Sequence, residues 1–169
     1  VYEKATADYH IDPGVLAIQS AIMRAVHRWA TAGKPILGIC NGFQILVKAG
    51  LLSGALERNE SGRFFCDWTT CRVEGASVFG DARLLNKKLR LPVAHGYGRY
   101  RAPQKLLREL VANKQIFLKY DGLNPNGSDG DIAGVCNKER TIFGLMPHPE
   151  RTPDGIHFIR AIERYVGKR

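Results

Sequence analysis

A short apolar run, PILGIC at residues 35–40, ends on a cysteine between two glycines and leads directly into a second apolar segment at 43–49. A brief, continuous apolar run is typical of a strand buried on both faces, as in a parallel sheet. The second segment ends at Gly50 and has the pattern of a short helix. The turn at Cys40 therefore predicts a strand followed at once by a helix, the arrangement of an α/β sheet.

A longer helix is predicted before this strand, over residues 13–32. Asp12 and Pro13 have the pattern of a helix cap followed by proline at the first helical position, and Gly33 ends the segment. Apolar residues recur at helical spacing along it; these are Ile18, Ile22, Val26 and Trp29. A final amphipathic helix is predicted after Thr152 and Pro153, with its apolar residues at Ile159, Ile162 and Val166.

The middle of the chain is richer in strand-forming residues. Strands are predicted within 63–74, 89–96, 115–122, 132–137 and 140–148, and the last two are joined by a turn at 138–139. Residues 104–113 predict a short helix, and NPNGSDGD at 124–131 predicts a loop. With no repeat or linker in the sequence, residues 1–169 are expected to form a single domain.

Composition excludes several classes of protein. No apolar run approaches the roughly 18 residues of a membrane span, and no leader opens the chain, so a cytoplasmic protein is expected. The four cysteines form no CxxC pair, which argues against a zinc site and predicts reduced thiols. Cys66, Cys71 and Cys136 lie in strand-like runs and are expected to be small core residues.

The chain is basic, with 25 Lys and Arg against 16 Asp and Glu, a net charge of +9. Basic residues cluster at 87–90, at 98–108 and at the C-terminus. Nucleic-acid binding is one interpretation, and a solvated surface or a docking face for an acidic partner is the other. The absence of a recognised nucleic-acid-binding module favours the second.

The chemistry of the chain centres on Cys40. Residues 38–42 form G-x-C-x-G, the thiol counterpart of the nucleophile elbow in which a tight turn demands small residues on either side. The following helix N-terminus favours a thiolate, and the backbone amide of Asn41 is expected to face an oxygen that develops negative charge. A buried cysteine in a glycine-rich turn is the alternative interpretation.

A cysteine nucleophile needs a base, and five histidines are available. His27 and His157 lie in predicted helices, and His10 lies in the N-terminal stretch. His148 differs because Pro149 follows it and holds it in extended geometry. Residues i and i+2 of an extended segment face the same way, so Glu150 can orient the His148 ring. A proline-rich surface turn is the alternative.

Six segments occur along the chain in the order GICNGFQ (38–44), RNESGRF (58–64), PVAHG (92–96), NPNGS (124–128), DIAGVCN (131–137) and GLMPHPER (144–151). Together they resemble the class I glutamine amidotransferases and, within that group, the glutaminase subunits of phosphoribosylformylglycinamidine synthase. The resemblance implies a flavodoxin-like open mixed or parallel sheet with helices on both faces. It also implies a catalytic triad formed by Cys40, His148 and Glu150.

The resemblance further implies a reaction. Cys40 attacks the side-chain amide carbon of glutamine, and His148 protonates the departing ammonia and then activates water. Ammonia passes to an ATP-dependent synthetase that makes formylglycinamidine ribonucleotide, and a further partner is a small accessory subunit. ATP and Mg²⁺ belong to that synthetase, so no cofactor, metal, nucleic acid or membrane is expected for this chain. Gln44, His95 and Tyr97 are expected near the substrate.

The chain departs from the resembled family in two places. Family members open with strands and a glycine-rich loop that supplies a second oxyanion donor, whereas this chain opens with VYEKATADYH and has Ala7 where glycine is expected. The expected sheet therefore lacks its N-terminal strands. Tyr97 stands where an acidic residue is usual. These departures leave two alternatives: a non-catalytic module that docks on a partner, or a related cysteine hydrolase that acts on another amide.

Overall fold

The computed structural model describes residues 20–74 and 81–167. Within them the chain forms eight strands and four α-helices. The strands are β1 (Ile36–Ile39), β2 (Ala55–Arg58), β3 (Phe65–Val73), β4 (Lys88–His95), β5 (Tyr97–Arg101), β6 (Ile116–Tyr120), β7 (Ile132–Cys136) and β8 (Ile142–Leu145). The helices are α1 (Ala21–Thr31), α2 (Asn41–Lys48), α3 (Gln104–Ala112) and α4 (Ile156–Gly167). The predictions for His10, Ala7, Ile18 and a helix cap at Asp12 and Pro13 lie outside the described residues. The prediction of one continuous helix over 13–32 is wrong, because Ser20 has an extended backbone and caps a helix that begins at Ala21.

Six strands form one sheet in the order β1, β8, β7, β6, β3 and β4. β1 pairs with β8 in parallel, from Ile36 opposite Ile142 to Ile39 opposite Leu145. The other four neighbouring pairs are antiparallel. The mixed α/β sheet is therefore confirmed, and so are the parallel pairing of β1 and the turn between β7 and β8.

Helices cover both faces of this sheet. α4 contributes Phe158 and Ala161 to one buried cluster, where they pack with strand residues such as Leu91 and Phe117. α1, α2 and α3 contribute to a second cluster, in which Phe43 and Leu46 of α2 are buried with residues of β6, β7 and β8. The strand before Cys40 and the helix after it are therefore both fixed by the core.

The buried faces of α1 and α4 agree only in part with those that the apolar spacing predicts: Val26 and Ile162 pack against the core, but other predicted positions do not. In α1, Met23 is buried while Ile22 and Trp29 are exposed. In α4, Phe158 and Ala161 are buried while Ile159 and Val166 are exposed. Both helices carry apolar residues on more than one side, and the position of the sheet, which periodicity does not contain, decides which side is covered.

Strands β2 and β5 are absent from the sequence prediction. They pair with each other as a separate antiparallel ribbon. In β5 the buried Gly98 and Tyr100 alternate with Tyr97, Arg99 and Arg101, so the strand has only one buried position with a large side chain. The prediction for Cys66 is wrong: Cys71 and Cys136 are buried, but Cys66 lies on the outward face of β3 and is exposed.

Candidate active site

Cys40 occupies the turn between β1 and α2 and has a left-handed backbone conformation, with φ of 51° and ψ of −105°. This region is unfavourable for a residue with a Cβ, so the surrounding hydrogen bonds must hold it. The Cys40 amide donates to the Leu145 carbonyl at 2.8 Å, and the Gln44 amide donates to the Cys40 carbonyl at 3.1 Å. The strand–turn–helix arrangement predicted around Cys40 is therefore present, with the strain expected of a nucleophile elbow.

The two glycines that flank Cys40 differ in the space that a side chain would have. A Cβ on Gly38 would lie 2.5 Å from Leu46 Cδ1 and 2.8 Å from the backbone carbonyl of Gly42. A Cβ on Gly42 would meet no atom within 4 Å. The steric explanation of the motif is therefore correct for Gly38 and wrong for Gly42.

The Cys40 thiol is buried and donates weakly to the Ala94 carbonyl, with Sγ and the oxygen 3.8 Å apart. Burial raises its pKa above the ordinary 9.0, Glu150 adds to the increase, and the Asn41 backbone amide and Arg151 oppose it. The Asn41 amide thus provides the predicted stabilisation of the thiolate by the helix N-terminus, but the effect of burial on the pKa is larger. The sulfur keeps its proton at neutral pH in this structure.

His148 and Glu150 form the pair that their spacing predicts. The extended geometry predicted for this segment is wrong: His148, with φ of −104° and ψ of 82°, precedes a short 3-10 helix at Pro149–Arg151 that contains Glu150. His148 Nδ1 nevertheless lies 2.6 Å from Glu150 Oε1. A carboxylate accepts, so Nδ1 carries the proton and Nε2 is left as the basic nitrogen. Arg151 Nε also lies 3.3 Å from Glu150 Oε1. The imidazole is therefore oriented with its free lone pair away from the carboxylate.

Cys40 and His148 both contact the backbone of β4. Cys40 Sγ contacts the Ala94 carbonyl, and the His148 amide donates to the Pro92 carbonyl at 2.8 Å. Because Cys40 follows β1 and His148 follows β8, the sheet curls so that β4 closes on the ends of these two strands. His148 Nε2 is buried and has no hydrogen-bond partner among the described residues, so the thiol does not bond to it here.

Asn59, which the sequence does not predict as a site residue, holds His95 at the end of β4. Asn59 is buried, and its Oδ1 lies 3.1 Å from His95 Nδ1. Burial lowers the pKa of His95 to about 4, and the neighbouring His148 contributes to the decrease. Asn59 belongs to the RNESGRF segment that carries the resemblance, which is the signal that could have identified it.

Gln44 contacts Tyr97, but through the backbone of Tyr97 and not through its side chain. Gln44 Nε2 donates to the Tyr97 carbonyl at 2.5 Å, while the Tyr97 side chain is exposed. The NPNGS loop supports the same strand, since Asn126 Nδ2 donates to the Gly98 carbonyl at 2.8 Å. Gln44 and Asn126 therefore both hold the backbone of β5, the strand that begins at Tyr97.

The described part of the chain contains neither a candidate metal site nor a candidate membrane-spanning helix. In residues 20–74 and 81–167, no group of three His, Cys, Asp or Glu side chains is arranged to hold a metal ion. Over the same residues, none of the helices has the length and apolar character required to span a membrane.

Comparison with known proteins gives consistent results. Residues 11–161 match the profile of the CobB/CobQ-like glutamine amidotransferase domain. A phosphoribosylformylglycinamidine synthase subunit PurQ from Thermomicrobium roseum is 51% identical over 167 residues, covering 94% of this chain and 67% of the relative. The subunit of the same name from Aquifex aeolicus is 44% identical over 156 residues, covering 87% of this chain and 69% of the relative.

Solved structures agree with these matches. A chain in the structure of PurLQS from Thermotoga maritima has a TM-score of 0.80 and 39% identity, and the match covers 95% of this chain and 75% of that one. A glutamine amidotransferase from Thermotoga maritima has a TM-score of 0.51 and 20% identity, covering 86% of this chain and 54% of that one. The second similarity concerns the fold alone.

Proposed function

Because this chain belongs to the CobB/CobQ-like glutamine amidotransferase family and, within it, to the PurQ subunits of phosphoribosylformylglycinamidine synthase, we propose that it is a glutaminase that supplies ammonia for purine biosynthesis. Cys40, His148 and Glu150 are its catalytic triad. The observation that carries this proposal is the buried His148 ring, whose Nδ1 is bound to Glu150 and whose Nε2 is unpartnered among the described residues beside the elbow that presents Cys40.

In the first half of the reaction, His148 Nε2 takes the thiol proton, and Cys40 Sγ attacks the amide carbon of glutamine. Glu150 stabilises the resulting imidazolium, as the acid of a catalytic triad does. His148 then returns the proton to the amide nitrogen, the carbon–nitrogen bond breaks, and ammonia leaves a γ-glutamyl thioester on Cys40.

In the second half, His148 removes a proton from water, and the water oxygen attacks the thioester carbon. The carbon–sulfur bond breaks, glutamate leaves, and His148 returns the proton to Cys40 Sγ. The Asn41 backbone amide points toward Cys40 Sγ and supports negative charge there. This chemistry needs a nucleophile, a base and water, so we propose that the chain uses no cofactor of its own and that ATP and Mg²⁺ act in the synthetase.

The partner in this proposal is an ATP-dependent synthetase, with a small accessory subunit. Two relatives are named as subunits of a synthase, and one similar chain comes from a structure of PurLQS. The net charge of +9 suits a docking partner with an acidic surface. The four unbridged cysteines suit a reducing compartment, which supports a cytoplasmic location.

The proposal is tested by measuring glutamate release from glutamine, with the chain alone and with the synthetase, ATP, Mg²⁺ and formylglycinamide ribonucleotide. A diazo-ketone analogue of glutamine serves as the probe of the nucleophile. We expect one label per chain, located on Cys40 by mass spectrometry and prevented by glutamine. Cys40→Ser is the matched control, since it keeps the side-chain size and removes the thiol.

The alternatives give different results in the same assay. A docking module without catalysis would release no glutamate in the assembled complex and would leave Cys40 unlabelled. A hydrolase of another amide would release no glutamate from glutamine, although the Cys40 thiol still reacted with simple alkylating agents. Either result would exclude the proposed glutaminase.

A further inference from the structure

His95 presents a second imidazole nitrogen that the triad does not use. Its side chain is 3% exposed, and its Nε2 is buried without a hydrogen-bond partner among the residues that the structure describes. Leaving a buried polar atom without a partner is unfavourable, so such atoms often mark a place where a ligand supplies the missing partner.

Asn59 fixes which nitrogen of His95 carries the proton. Its Nδ2 donates to the His95 carbonyl at 2.8 Å and to the Arg63 carbonyl at 2.9 Å. Its Oδ1 accepts from the Gly98 amide at 3.2 Å. These three contacts determine the orientation of the amide, so the atom opposite His95 Nδ1 is an oxygen, and Nδ1 must donate. His95 Nε2 is therefore an acceptor with no proton of its own.

The position of His95 relates it to the reacting atoms. The preceding residue, Ala94, accepts the Cys40 thiol through its carbonyl, and the ring lies close enough to His148 for the charge of one to affect the other. The low pKa of His95, caused first by burial, keeps the ring neutral at pH 7. Both imidazoles therefore present an unprotonated Nε2, and the ring of His95 differs from that of His148 in donating its Nδ1 proton to a neutral amide.

We propose that His95 Nε2 accepts a hydrogen bond from the carboxamide nitrogen of glutamine and from the ammonia that this nitrogen becomes. This inference rests on the proposed glutaminase activity and adds a residue that selects an amide over an ester. When the carbon–sulfur bond has formed and the carbon–nitrogen bond breaks, the proton on the nitrogen comes from His148. His95 gains and loses no proton and holds one N–H throughout.

The test compares His95→Asn with His95→Gln in the chain assembled with its synthetase. Asparagine reaches the position of Nδ1 and keeps the contact with Asn59, but it is too short to replace Nε2. Glutamine extends to the position of Nε2 and offers an acceptor there. Each variant is assayed with glutamine and with glutamate γ-methyl ester, which has no N–H at the leaving group.

We expect His95→Asn to lower the ratio of kcat/KM for glutamine to that for the ester by roughly tenfold to a hundredfold, the effect of losing one hydrogen bond in a buried site. His95→Gln restores most of this ratio. The rate of Cys40 labelling by the diazo-ketone analogue, which also lacks the amide nitrogen, stays within about threefold of the unaltered protein in both variants.

An unchanged substrate ratio in His95→Asn would overturn the inference, and so would an equal loss for glutamine, ester and labelling, which indicates a structural role. These outcomes are distinct from failure of the proposed function, in which the unaltered complex itself releases no glutamate. A circular dichroism spectrum and a urea midpoint for each variant verify folding before the kinetics are compared.

Discussion

Burial of a neutral His95 makes the fold sensitive to acid, and the size of the effect follows from its environment. The pKa of His95 lies at about 4 in the folded chain because of burial and the nearby His148, against an ordinary value of 6.5. As the pH falls, the unfolded chain therefore binds this proton first. The stabilisation from the neutral ring is complete above 6.5 and is lost between 6.5 and about 4. At about 1.36 kcal/mol for each pKa unit, the loss reaches about 3 kcal/mol at pH 4.

The assay is urea unfolding of the unaltered chain and of His95→Gln at intervals from pH 8 to pH 4. Glutamine does not titrate, and all other ionisable residues are common to the two proteins, so the difference between their unfolding free energies reports on His95. We expect this difference to shift by about 2 kcal/mol by pH 5 and by about 3 kcal/mol by pH 4, always against the unaltered chain. A difference that stays constant over this range would refute the reasoning, since it would mean that His95 takes up its proton at an ordinary pH.

Four other substitutions have defined outcomes. Gly38→Ala should lower the unfolding free energy by roughly 1–3 kcal/mol because its Cβ would strike the carbonyl of Gly42. Gly42→Ala, with open space at its Cβ, should change it by less than about 1 kcal/mol, and equal effects in urea titrations would contradict the steric argument. Gly155→Ala would overlap the Pro149 carbonyl and should lower the thermal midpoint by several degrees, which calorimetry would measure. Glu150→Gln should slow glutamate release by roughly 10²-fold or more with an unchanged circular dichroism spectrum, and a loss below about threefold would exclude Glu150 from the triad.

The local parts of the site could be predicted because their determinants lie close together in sequence. The elbow is specified by Cys40, its flanking glycines and the apolar runs on either side, all within about a dozen residues. The spacing of two predicts the pairing of His148 with Glu150, and the ring and carboxylate are 2.6 Å apart. The extended geometry behind that prediction is wrong, because a 3-10 helix at Pro149–Arg151 brings Glu150 to the ring. Both predictions concern residues that are close in sequence.

The remaining parts depend on contacts between distant segments. Asn59 meets His95 across 36 positions of the chain, and no local pattern distinguishes it from a polar loop residue. The buried faces of α1 and α4 depend on where the sheet lies, so Ile22 and Ile159 are exposed despite their helical spacing. The ribbon of β2 and β5 carries charged residues on one side, so the alternating apolar pattern that predicts a strand is weak in both segments.

The contacts around Cys40 define what must change before the proposed reaction can begin. The proton stays on Cys40 because burial raises the pKa of the thiol, and that proton points to the Ala94 carbonyl. The base that should receive it, His148 Nε2, is oriented by Glu150 but has no partner among the described residues. Attack on glutamine therefore requires the thiol to exchange a weak bond to the backbone of β4 for one to His148. Because Cys40 and His148 both contact β4, a movement of β4 relative to the ends of β1 and β8 would act directly on this exchange.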